Sequence, residues 1–103
     1  MRNSPLPKCP AGLSAASRTL WKKLVADFGI SDSAGLMILQ TALEAHDRLR
    51  QAQRILRKQG VVISDRFGQR KSHPATLLER DARTQMLSAF RLLRLDPGAI
   101  EGD

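Results

Sequence analysis

The sequence predicts a mainly α-helical domain: a three-helix core whose middle helix is long, with a small β-hairpin between the second and third helices. Three observations predict it. Apolar residues recur at three- and four-residue spacing through most of the chain, which makes one buried face per helix. That spacing breaks over Gln59–Pro74 (QGVVISDRFGQRKSHP), where a β-branched run, a turn and a basic return run replace it. Aromatic residues are only 4% of a chain that is 42% hydrophobic, so helical Leu and Ala must supply most of the core.

Met1–Gly12 holds three of the five prolines and no periodicity, and reads as an extended, mobile arm. Ser14 is placed to accept from the free amides of a first helix. Leu20, Trp21, Leu24, Val25 and Phe28 form its apolar face, which makes Trp21 a core residue. Gly29 ends the helix, and Ile30 is positioned to fold back on Val25, the contact that accompanies a left-handed helix stop. Arg18, Lys22 and Lys23 fall on the polar side, either solvated or facing phosphates.

Ser31 is placed to cap a second helix that runs to about Gln59, a rod of roughly 40 Å. Ile38, Ala42, Ala45, Leu49, Ala52 and Leu56 alternate spacings of four and three, with Leu39, Leu43 and Ile55 broadening the stripe. A seam sustained over that length requires helices packed along all of it. A small leucine-built core also often needs a partner subunit, so these six residues are the expected oligomerisation contacts. Gly35 weakens the first turn. In the second half the character changes: Arg48, Arg50, Arg54, Arg57 and Lys58 appear with Asp47 the only acid among them. The helix dipole accounts for one or two cations in the last turn, but this run begins three turns earlier.

Gly60 should stop the helix. Val61–Ser64 reads as a strand, Asp65-Arg66-Phe67-Gly68 as a turn in which Gly68 can take positive φ, and Gln69–Ser72 as the return strand. Pro74 opens a third helix at its first position, running to about Leu95. Leu78, Ala82, Met86, Ala89 and Leu93 are its expected seam, with Leu77, Phe90 and Leu92 beside it. Asp96-Pro97-Gly98 terminates it. The expected organisation is an arm (1–12), a helical oligomerisation and DNA-binding core (13–97) and a short acidic tail (98–103).

The net charge of +7, with a pI near 10.8, favours a polyanionic partner, either nucleic acid or an acidic membrane. No stretch approaches the ~20 apolar residues of a membrane span, and no apolar leader follows the N-terminus, so the chain reads as cytoplasmic with no membrane partner. Cys9 is the single cysteine, which excludes an intrachain disulfide and a thiolate-rich zinc site. His46 and His73 lack the further ligands of a metal site, and His73 reads as a cap or hairpin contact. No glycine-rich phosphate loop and no nucleophile elbow occurs. The reading is therefore a non-enzyme without cofactor. Its expected nucleic-acid contacts are Arg50, Arg54, Arg57, Lys58, Arg66, Arg70 and Lys71, with Lys22 and Lys23, directed at phosphates rather than base edges.

Two other classes compete. The short Gly29-Ile30-Ser31 link suits a helix-turn-helix in a small dimeric DNA-binding regulator. Against it, Leu36–Leu43 is too apolar to lie in a groove. The other is a structural oligomer whose basic face serves an acidic protein.

Several residues also occur in an order that resembles a known family. Trp21 lies in the first helix, Asp32 opens the second and Gly60 closes it. Gly68 follows in the hairpin, then Lys71-x-His73-Pro74, and last a helix ending on Leu93-x-Leu95-x-Pro97. Over about Leu13–Pro97 this order is similar to the small terminase subunit of tailed bacteriophages. Where that family often has Leu-Gly-Leu-Thr-Pro followed by Arg, this chain reads Leu93-Arg94-Leu95-Asp96-Pro97 with no basic residue after it. The resemblance implies a non-catalytic packaging component that forms a closed ring, commonly of about eight to ten subunits. It implies that the ring engages double-stranded viral DNA and regulates the ATPase and nuclease of the large terminase subunit.

Overall fold

The computed structural model describes residues 7–95; the expectations for Met1–Leu6, for the Asp96-Pro97-Gly98 stop and for the acidic tail lie outside them. The elements follow in the order α1 (Ala15–Phe28), α2 (Ser33–Gln59), β1 (Val62–Ser64), β2 (Arg70–Ser72) and α3 (Ala75–Leu93). The expected three helices and intervening antiparallel hairpin are present.

α1 begins as its sequence requires. The Ser14 hydroxyl accepts from the Ser17 amide at 3.1 Å, and Gly29 closes the helix in the left-handed conformation (φ 63°). Ile30 then turns back into the cluster that holds Val25, Trp21, Leu39 and Leu43. Pro7–Gly12, read from the sequence as part of a mobile arm, lies against α1. The Trp21 indole N–H donates to the Pro7 carbonyl at 3.4 Å, and the Arg18 guanidinium donates to the carbonyls of Ala11 (2.8 Å) and Leu13 (3.2 Å). Cys9 packs on the same core cluster.

α2 is capped by Asp32, not by Ser31: the Asp32 carboxylate accepts from the Gly35 amide at 2.8 Å. This explains the glycine in the first turn. A Cβ on residue 35 would stand 2.8 Å from Asp32 Oδ1 and 3.1 Å from Ile30 Cγ2, so only Gly lets the cap and Ile30 close over it.

α3 folds back antiparallel on α2, joined to it at mid-length by a hydrogen bond from Arg48 Nη2 to Gln85 Oε1 (2.9 Å). The surface between them is built from alanine. Ala42, Ala45 and Ala52 on α2 and Ala75, Ala82 and Ala89, at seven-residue spacing on α3, are all buried. Small side chains let two helix axes approach closely. The expected α3 seam is therefore corrected. Ala82, Ala89 and the half-buried Met86 and Leu93 keep their inward positions, but Leu78 is 60% exposed and Leu92, beside the expected seam, 72% exposed. Leu78 and Leu92 border the open edge of the helix pair, and the contact itself is left to the alanines.

The start of α3 also differs from expectation. Pro74 sits just ahead of the helix in αR geometry, and the capping work falls to His73. His73 Nδ1 accepts from the Ala75 amide (2.9 Å), its carbonyl accepts from the Thr76 amide (2.9 Å), and its Nε2 meets Gln59 Oε1 at 2.6 Å. One tautomer, protonated on Nε2, satisfies both ring nitrogens. His73 is thus the cap and hairpin contact that its position suggested. At the far end Arg94 takes the left-handed conformation (φ 58°), and the Leu95 amide reaches back to the Phe90 carbonyl at 3.1 Å. The departure from the family pattern puts an arginine at a backbone position that glycine fills without strain.

Candidate nucleic-acid interface

The hairpin stands at the end of the α2–α3 pair, away from α1. β1 and β2 pair antiparallel with Val62 opposite Ser72, Ile63 opposite Lys71 and Ser64 opposite Arg70. The ladder is extended by the His73 amide donating to the Val61 carbonyl (2.8 Å), which anchors the ribbon to the first residues of α3. Asp65 organises the turn. Its Oδ1 accepts from the amides of Phe67 (2.8 Å) and Gln69 (2.9 Å), and its backbone bonds to Gln69 and Gly68. Gly68 takes φ 79°, the conformation that the sequence assigned to it.

Of the nine cations expected to touch DNA, Arg66, Arg70 and Lys71 are exposed on this ribbon, and Arg57 and Lys58 are exposed on the last turn of α2 beside it. Arg50 and Arg54 lie one to two turns earlier and face an open cleft of about 600 Å³ at the start of α1, lined also by Gly12–Ala16, His46, Asp47 and Gln51. Lys22 and Lys23 do not join them. They sit on the outward face of α1, which packs on the half of α2 remote from the hairpin.

Among the described residues none of these nine has a carboxylate within ion-pair distance. The ion pairs are Arg80–Asp81 and Arg83–Glu79, each at 3.5 Å on α3, and a His46–Asp47 contact at 3.8 Å. The acids of α3 are matched by its own arginines, while the hairpin end carries unmatched positive charge. Arg48 and Arg18 are engaged with Gln85 and with backbone carbonyls, and of the nine Arg50 donates to Gln53 Oε1 at 3.0 Å. The first half of α2 could not serve as a recognition helix, since Leu39 and Leu43 are fully buried.

The cleft floor holds a polar cluster that sequence reasoning missed. Asp47 accepts from the Ser14 amide (2.9 Å), the Ser14 hydroxyl (2.6 Å) and the Ser17 hydroxyl (2.6 Å). Ser17 is fully buried, and His46 Nδ1 lies 3.0 Å from its Oγ. With the hydroxyl hydrogen committed to Asp47, the Nδ1–H form of His46 completes the set. Serine, histidine and aspartate here form a clasp that pins the first turn of α1 to mid-α2. Ser17 is fully buried beneath the cleft, so its hydroxyl serves the clasp and is not presented to a substrate.

Burial works to raise the Asp47 carboxyl, but the Ser14 and Ser17 hydroxyls, the Ser14 amide and nearby His46 outweigh it and hold the group below its ordinary value. The sign of the linkage follows. A depressed folded-state value stabilises fully above the ordinary carboxylate pKa, and the gain is lost as pH falls through the folded value. Asp47→Asn should cost about 1–3 kcal/mol at pH 7, and the gap to wild type should narrow below about pH 4. Thermal melts across pH check this, and a gap that did not change with pH would show that the carboxylate charge is unimportant.

The seam expected to hold neighbouring subunits is filled largely within the chain. Ala42, Ala45, Leu49, Ala52 and Leu56 are buried and Ile38 is half-buried, because α3 of the same molecule folds back onto them. What stays open is the edge. Met37, Ile38, Thr41, Gln85, Ala89 and Leu92 line one shallow apolar groove, and Ile55, Ala52 and Leu78 border a second along the same side. No described helix is long and apolar enough to cross a membrane, and among the described residues no group of three or more His, Cys, Asp or Glu could hold a metal ion.

A helical hairpin with a basic β-ribbon at its tip and a third helix clasped to one flank defines a small helical scaffold with segregated charge. The chain belongs to the phage terminase small subunit family, whose model (phage terminase, small subunit) matches residues 17–101. That family carries a role in phage DNA packaging. Neither a curated protein nor a solved structure matches the chain.

Proposed function

We propose that this chain is the non-catalytic DNA-binding subunit of a packaging motor in the bacterial host cytoplasm. It binds double-stranded viral DNA through the hairpin end, assembles as a ring of identical subunits and regulates the large terminase subunit. The observation that carries the DNA reading is the unmatched charge of Arg57, Lys58, Arg66, Arg70 and Lys71 at one end, continued by Arg50 and Arg54. Phosphate contacts of this kind position a duplex without reading its sequence. A ring repeats them around its circumference, so weak contacts per subunit add by avidity.

Self-association is supported by the open apolar edge. Met37, Leu78 and Leu92 are large hydrophobic residues at the surface, beside Ile38 and Ile55. Exposed apolar surface on a small domain marks an interaction site. The six seam residues then contribute mainly by setting the α2–α3 spacing, with the half-buried Ile38 reached by a neighbour along its groove.

Two measurements test this. Native mass spectrometry should show a closed species of about eight to ten subunits. Fluorescence anisotropy with a duplex should give affinity that falls linearly with the logarithm of salt, with a slope near −0.9 for each phosphate contacted. A monomer that binds duplex and polyglutamate alike would sink both parts of the reading.

A further inference from the structure

One residue at the hairpin tip is not accounted for by phosphate binding. Phe67 is 74% exposed, whereas the other aromatic residues are housed: Trp21 is buried, and Phe28 and Phe90 pack against the cluster around it. The turn that carries it is closed by hydrogen bonds. Asp65 receives the Phe67 and Gln69 amides on one carboxylate oxygen and the Gly68 amide on its carbonyl. The ring therefore stands exposed on a hydrogen-bonded turn, its own amide held by Asp65. Its one neighbour of note is the Arg66 guanidinium, 5.1 Å from the ring centroid, a cation resting on the π face.

We infer that Phe67 is an apolar wedge that enters the DNA minor groove and partly opens a base step, while Arg66, Arg70 and Lys71 hold the flanking phosphates. This rests on the DNA-binding reading proposed above. Three features select a duplex as occupant. The ribbon that carries the ring is cationic: Arg66 lies over it, and Arg70 and Lys71 follow on β2. None of the three has a carboxylate within ion-pair distance among the described residues, and one oxygen of the adjacent Asp65 takes two turn amides. A polyanion with flat π faces in its interior complements both halves of that surface. The hairpin tip is also narrow, since paired strands stand about 4.8 Å apart. A single bulky apolar side chain at such a tip, flanked by cations, is the geometry that unstacks and kinks a duplex from its minor groove. Arg66 has a part in both states. It covers the ring in the free protein and is released toward a phosphate when the ring inserts.

The test uses the full chain and a duplex of about 30 base pairs carrying 2-aminopurine at a central TA step, with donor and acceptor dyes at its ends. Wild type should raise the 2-aminopurine emission and shorten the end-to-end distance. Phe67→Ala should abolish both signals and weaken binding roughly tenfold, with the salt slope unchanged. Phe67→Leu, a smaller wedge, should retain most of both. Because the ring joins no core cluster, both variants should melt with wild type. Equal affinity, emission and end-to-end distance for wild type and Phe67→Ala would overturn the wedge while leaving phosphate binding intact. A wild-type protein without salt-sensitive duplex binding would instead remove the underlying DNA reading, and the wedge with it; Phe67 would then belong to a protein contact.

Discussion

Reversing charge at Arg66 and Arg70 together should lower duplex affinity at least tenfold near 0.1 M salt and reduce the salt slope by about two. Both side chains are exposed, and Arg70 lies opposite neutral Ser64, so neither reversal breaks an ion pair or uncovers the core. Assembly should be unaffected, because the apolar edge of α2–α3 is a separate surface. In an assembly that engages DNA through several hairpins, the loss per subunit multiplies, and the deficit should exceed that of an isolated chain. Reversing Lys22 and Lys23 is the informative control. They sit on α1, over the half of α2 remote from the hairpin, so their effect should be clearly smaller. Unchanged low-salt binding in Arg66→Glu/Arg70→Glu would take the interface away from the hairpin. A larger loss from the α1 lysines would move it to α1.

Trp21→Ala should be the most destabilising single truncation, at about 3–5 kcal/mol. Trp21 is 3% exposed and packs with Val25, Leu39 and Leu43, the last two fully buried. α1 covers the first half of α2 through this cluster and the Asp47 clasp, and the Pro7–Gly12 segment is tied to α1 through the indole N–H and Arg18. Deleting the indole leaves a cavity and removes the main apolar anchor of α1, in a domain small enough for its total stability to be of similar size. The midpoint of a far-UV circular dichroism melt should fall by roughly 15–30 °C. Circular dichroism is the right probe because Trp21 is the only tryptophan. A fall of less than about 5 °C would mean that contacts between subunits, rather than this cluster, hold α1 in place.

Much of the fold was legible because local rules act on adjacent residues. Ser14 and Gly29 bound α1 as their chemistry requires, Gly60 ends α2, and the Asp65–Gly68 turn joins two short strands. The misplaced α2 cap shows the limit of such rules. Ser31 and Asp32 are both competent, and the choice fell to the one whose carboxylate closes over Gly35. The α3 stripe was misread for a different reason. Periodicity marks Leu78 and Ala82 as members of one face but carries no information on how near the facing helix comes.

The candidate interface was legible as composition and only partly as geometry. The charge excess and its concentration after Asp47 can be read from residue order, and the hairpin and the end of α2 do bring five of the nine cations to one end. Phe67 left a faint signal, an aromatic inside a polar turn where Gly, Asn or Asp would serve. The Asp47 clasp left none, since Ser14 and Ser17 meet a carboxylate some thirty residues away.

The sequence by itself determined three helices, a hairpin and a basic end, because helix periodicity, capping chemistry and turn preference depend on residues a few positions apart. Only the tertiary structure decided which partner fills each apolar face. The long α2 seam, which by pattern suited a neighbouring subunit, is covered by α3 of the same chain, leaving Met37, Leu78 and Leu92 at the surface. The physical reason is that a hydrophobic stripe specifies burial and not the identity of what buries it. A polypeptide that can fold back on itself satisfies the stripe without the entropy cost of association.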